Sequence, residues 1–151
     1  MTLWALLPLL ATAAWVPPVP LTGVQAEFRP AAPYGSGHRG IDLAAEPGVT
    51  VRAVAEGTVA LARLVAGKPV VVLVVEDPDY GRLRVTYEPV SPAASVGDHV
   101  RPGQPIGSVA GSGGHCGRTP HCLHLGIKQD GRYLNPGSFL PKGRVVLKPI
   151  S

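Results

Sequence analysis

The sequence is poor in cysteine, in charge and in long hydrophobic runs. Two cysteines in 151 residues exclude a disulfide-dense scaffold. Charged residues make up only 16% of the chain, and the net charge of +4 comes partly from the tail "PKGRVVLKP". Such a modest excess suits an anionic surface, or simply a solvated basic one; nucleic acid is not among the expected partners. The longest apolar run, Leu3 to Val16, is too short for a transmembrane helix. No stretch keeps a 3.6-residue apolar period, which excludes a helical bundle.

What is abundant is glycine and proline, 19 and 17 residues. That composition favours a turn-rich β protein. From Val49 onward, short apolar strands alternate with turns: "VTVRAV", "GTVALARLV", "PVVVLVVED", the turn "PDYG", and the return strand "RLRVTYEPV". The run "PVVVLVVED" is strongly β-branched and predicts a central strand buried on both faces. In "VGDHVRPGQPIGSV" two Gly/Pro turns separate apolar positions, and "CLHLGIKQDGRYLNP" predicts a last hairpin turning at Asp130-Gly131. The expected fold class is all-β, an antiparallel β sandwich or barrel-like arrangement.

The N-terminal run reads as a signal-peptide segment with Ala11-Thr12-Ala13 as its small-residue cleavage site, although a basic n-region is missing. An uncleaved anchor or a buried segment is the alternative. "VPPVPLTG" reads as a stiff spacer. The expected organisation is residues 1–22 as leader and spacer, 23–33 as linker, 34–141 as the folded domain and 142–151 as a basic tail.

Two short blocks can carry chemistry. In "GSGHRGIDL", His38 and Asp42 are metal-competent and share strand parity. In Gly114–Gly126, "GHCGRTPHCLHLG", three histidines and both cysteines fall together. Alone, H-x-x-x-D also reads as a polar loop, and His124 as a core histidine. Two histidines and one carboxylate would give zinc three protein ligands and leave a position open, as catalytic sites do.

The chain resembles the lysostaphin-type, or β-lytic, zinc metalloendopeptidases, the LytM-domain family. The resemblance runs from about Tyr34 to Leu140 and rests on "HRGIDLAAEPGVTVRAVAEGTV", "VGDHVRPGQPIGSVAGSG" and "CLHLGIKQDGRYLNPGSFL". It implies the LytM (duplicated hybrid motif) fold with an open groove. It implies zinc held by His38, Asp42 and His124, and a substrate in the peptide cross-bridges of peptidoglycan. It also implies two helper histidines, one in a Y-x-H strand and one opening an H-x-H motif. Here Pro89 stands at the first position, in "TYEPV", and Cys122 at the second, in "CLH". Proline offers no base or donor, and a disulfide-bonded cysteine offers none either.

His121 and His115 are the possible substitutes. In a regular strand His121 faces away from His124, unless a bulge near Pro120 turns it inward; Glu88 alternates away from position 89. In an exported chain Cys116 and Cys122 read as a disulfide beside the metal; a reactive Cys122, or zinc ligation by both thiols, are the alternatives.

Three functions follow. One is a secreted zinc endopeptidase of the bacterial cell envelope with weakened catalysis and no stable membrane span after leader cleavage. Another is a pseudo-enzyme of the same fold that binds wall peptide or regulates a partner wall hydrolase. The third is a carrier, since "VGDHVRPGQPIGSV" also looks like a biotinyl or lipoyl hairpin. Carriers need a lysine at a tight turn, and none lies between Lys68 and Lys128.

Overall fold

The computed structural model describes residues 15–29, 37–111 and 121–141. Their regular structure is eleven strands and one 3₁₀ turn. The strands are β1 (Val24–Ala26), β2 (Ile41–Ala44), β3 (Thr50–Arg52), β4 (Gly57–Val65), β5 (Lys68–Asp77) and β6 (Gly81–Glu88). Then follow β7 (Val90–Pro92), β8 (His99–Val100), β9 (Pro105–Val109), β10 (Cys122–Gln129) and β11 (Arg132–Leu134), and the turn at Pro136–Ser138. Among the described residues no helix is long and apolar enough to cross a membrane.

One sheet runs β1-β2-β10-β6-β5-β4-β8, with β11 pairing to β10; a smaller sheet runs β3-β9-β7. All pairings are antiparallel. The all-β antiparallel class expected from composition is what the chain forms. β5 lies between β4 and β6, and Val70–Leu73 are four consecutive buried residues, so the β-branched run is buried on both faces. The last hairpin turns at Asp130 (φ 46°) and Gly131 (φ 79°), two successive positive values that suit an Asp-Gly turn.

From β6 and β10 the core takes alternate, inward-facing apolar residues. Leu83, Val85 and Tyr87 of β6 and Leu123, Leu125 and Ile127 of β10 are all fully buried. Tyr87 accepts a hydrogen bond from Val54 N–H at 3.0 Å, and burial holds its hydroxyl far above the ordinary phenol range. The run "RLRVTYEPV" is not one strand. β6 ends at Glu88, Pro89 is buried, and the chain enters the smaller sheet as β7. Pro89 has no N–H for the ladder, which makes it the natural place to leave one sheet for another.

Packing reaches further toward the N-terminus than the sequence suggests. Trp15 and Val19 belong to the main apolar cluster. Val16 N–H donates to Val54 O, and Arg52 N–H to Pro18 O, both at 2.8 Å. Where the sequence suggests a spacer, the chain is bonded to the body of the domain.

Candidate metal centre and groove

β2 and β10 lie side by side in antiparallel register, with Asp42 opposite His124. That pairing brings together groups 82 residues apart: His124 Nδ1 lies 2.7 Å from Asp42 Oδ1. Four residues before Asp42, His38 places Nε2 3.2 Å from Asp42 Oδ2. The three donor atoms lie within 4.8 Å of one another, and the two rings meet edge-on with centroids 5.2 Å apart. The structure thus unites His38, Asp42 and His124, the three residues that the resemblance marks as zinc ligands.

Asp42 is the only buried charged residue described, 3% exposed. A buried carboxylate is costly unless compensated; here His124 Nδ1 faces one oxygen and His38 Nε2 the other, an arrangement that a shared cation would complete. His38 Nδ1 lies 2.8 Å from Glu27 O. A carbonyl only accepts, so Nδ1 carries the proton and the Nε2 lone pair is left for an electrophile, an outer-shell arrangement common to metal-ligating histidines. Two nitrogens and one carboxylate oxygen are a zinc donor set, and ligand atoms about 2.0–2.2 Å from a tetrahedral zinc stand roughly 3.3 Å apart. The His–Asp spacings of 2.7 and 3.2 Å, one to each carboxylate oxygen, are near that value and the three donors lie within 4.8 Å of one another, so the residues present fit the ion.

Two local features hold His38 and His124 in place. His38 forms an isolated β-bridge with Arg29, each N–H donating to the other's carbonyl at 3.0 Å. The stretch expected to be a linker therefore orients His38. Gly40 lies against Leu125 O and the His124 ring; a Cβ there would overlap the carbonyl and sit 2.8 Å from ring atoms.

A groove of about 350 Å³ opens beside the cluster, lined by Arg39, Arg84, Thr86, Glu88, His124, Gly126, Lys128 and Tyr133. It is the outward face of the β6–β10 pair, in which His124 opposes Glu88, Gly126 opposes Thr86 and Lys128 opposes Arg84. Sequence reasoning missed most of this lining. Its only available signal was parity: these positions alternate with the apolar core residues of the same two strands.

Glu88 needs a correction. Alternation with position 89 predicts that it faces away, but β6 ends at Glu88 and position 89 belongs to the crossing between sheets. Glu88 lines the groove directly opposite His124. The helper positions are both closed: Pro89 is buried, and Cys122 is 1% exposed. His121, partly exposed, precedes β10 and is not part of the ligand cluster. His115 and Cys116 lie outside the described residues, and so does the expected pairing of the two cysteines.

Comparison with known proteins places this geometry. The model of peptidase family M23 matches residues 36–136. An uncharacterized protein of Mycobacterium tuberculosis is 38% identical over 138 residues, covering 87% of this chain and 53% of the relative. The murein hydrolase activator EnvC of Escherichia coli is 36% identical over 102 residues, 68% of this chain and 23% of EnvC. The catalytic domain of lysostaphin from Staphylococcus simulans superposes with a TM-score of 0.63 at 24% identity, over 78% of this chain and 90% of that domain. The chain belongs to peptidase family M23 and has the lysostaphin-type fold. It spans about half the length of the mycobacterial relative and a quarter of EnvC.

Proposed function

We propose that this is an exported domain that holds one zinc ion on His38, Asp42 and His124 and acts on the peptide cross-links of bacterial peptidoglycan, with weakened hydrolysis. The observation that carries this reading is the His–Asp–His cluster at the head of an open groove. The positive net charge suits an anionic wall.

Zinc in such a site supplies Lewis-acid polarisation of a carbonyl and acidifies water. The chain's own residues supply the rest. Asp42, buried between two imidazoles, fixes the ligand geometry. The β6–β10 floor orients an extended peptide. Glu88 is the one carboxylate among the described residues lining that floor, and is the candidate for holding a proton beside His124. The two positions where relatives of this type carry helper histidines cannot contribute, and a missing acid–base group costs about 10²–10⁴-fold.

A second reading is favoured by those same buried positions, Pro89 and Cys122: a domain that binds wall peptide, or regulates a wall hydrolase, without cutting. Similarity to a protein named as a murein hydrolase activator supports it.

Metal analysis of the purified protein and release of cross-links from purified peptidoglycan test both readings. About one zinc per chain is expected, lost in His124→Ala. Slow release that disappears in His38→Ala and falls in Glu88→Gln supports the enzyme, and stoichiometric zinc without release supports the binding domain. Equal zinc in wild type and His124→Ala would overturn the ligand assignment. Turnover matching an intact family member, unchanged by Glu88→Gln, His115→Ala and His121→Ala, would overturn the account of weakened catalysis.

A further inference from the structure

The groove floor is electrically lopsided. On β6, Arg84 and Glu88 are four residues apart, roughly 13 Å along a strand. The Glu88 end holds His124 and the ligand cluster. At the other end Arg84 stands directly opposite Lys128, a like-charge cross-strand pair that destabilises a sheet. A third cation joins them: Arg39 and Lys128 both approach the Tyr133 ring, 5.3 and 5.1 Å from its centroid. Among the described residues none of the three forms an ion pair, whereas Arg82 pairs with Glu76 at 2.7 Å. The groove lining therefore carries three cations against one carboxylate.

Between the two ends Thr86 stands opposite Gly126. Gly126 contributes no side chain, and a Cβ there would stand 3.5 Å from Arg39 O and 3.7 Å from His124 Nε2. A peptide of about four extended residues is long enough to reach both ends at once.

We propose that Arg39, Arg84 and Lys128, which line one groove with Tyr133, form a subsite for a free carboxylate on the bound peptide. The carboxylate sits three to four extended residues from the bond presented to the His–Asp–His cluster, at roughly 3.3 Å per residue. Arg84 and Arg39 supply planar donors suited to a carboxylate, and Lys128 a point charge between them. A bound anion relieves the repulsion between Arg84 and Lys128. The proposal deepens the wall-peptide reading and rests on it for the identity of the peptide.

The test is binding of fluorescent stem peptides to the zinc-loaded chain, in free-acid form and with each carboxylate amidated. An unrelated acidic peptide of equal length and charge is the third probe. The subsite predicts that amidation weakens binding about tenfold, the low end for charge-assisted hydrogen bonds at an exposed site. The loss should shrink to nothing in the Arg84→Gln, Lys128→Gln double variant, with zinc content and circular dichroism unchanged. The advantage of the free acid should also fall with added salt. Equal binding of free and amidated stem peptides overturns the subsite and leaves the wall reading intact. Equal binding of the unrelated acidic peptide keeps the subsite and overturns the wall peptide as its preferred ligand. Binding of none of the three overturns both.

Discussion

At the scale of single residues, Asp42 and Gly40 show how closely the site is packed. Asp42 touches both imidazoles, while Gly40 lets the His38–Asp42 segment lie against the next strand. A methyl at position 40 meets backbone, which cannot swing aside. Gly40→Ala should therefore cut zinc affinity by 10-fold or more, the scale seen when the support of a metal ligand is lost. Isothermal titration with zinc checks this, and unchanged affinity would show that the strand shifts freely. The cysteines give a second prediction at this scale. Cys116 and Cys122 should resist alkylation in the native protein, with a mass about two hydrogens below the dithiol form. Two rapidly alkylated thiols would refute it. The His38–Asp42–His124 set was legible only through the resemblance, because H-x-x-x-D alone also reads as a polar loop and His124 as a core histidine. The cationic lining was not: Arg39, Arg84, Lys128 and Tyr133 belong to three separate segments, and only strand register brings them together.

At the scale of elements, β10 is the strand on which the site depends. Its two ends pair differently: Cys122–Leu125 meet β2, Ile127–Gln129 meet β11, and β6 runs along the other edge. Its inward residues fill the core and its outward residues build the groove. Leu125 is fully buried beside His124, so Leu125→Ala should destabilise the fold by about 2–5 kcal/mol. Urea unfolding monitored by circular dichroism gives the number, and a change under 1 kcal/mol would mean the cavity collapses. Strands and turns were readable where alternation or Asp-Gly chemistry is local. The break at Pro89 was not read, because "RLRVTYEPV" alternates without interruption and the change of sheet is a tertiary event. Glu88 was misjudged for the same reason.

For the molecule as a whole, the N-terminal segment matters more than its composition suggests. Proline-rich "VPPVP" reads as a spacer, yet Trp15 is 8% exposed and packs on Phe139 with ring centroids 4.6 Å apart. Burial against distant partners cannot be read from a stretch with no strand or helix period. Trp15→Ala should cost about 3 kcal/mol, the lower end for a large aromatic because the ring lies at the edge of the core. A thermal melt should show a drop of several degrees, and an unchanged midpoint would show the packing to be incidental. A leader cut near Ala13 would leave Trp15 in the mature chain, so the proposed export and the observed packing are compatible.

The 82-residue gap between Asp42 and His124 has a consequence for how the protein is made. During synthesis, His38 and Asp42 emerge long before their third companion, and a chain cut short before β10 carries two donors and no enclosed site. Because loop closure over such a distance has to be offset by the pairing of β2 with β10, the three donors assemble only as the sheet is completed. On the proposed zinc reading, metal capture then certifies a finished chain, and truncated copies are left without the ion.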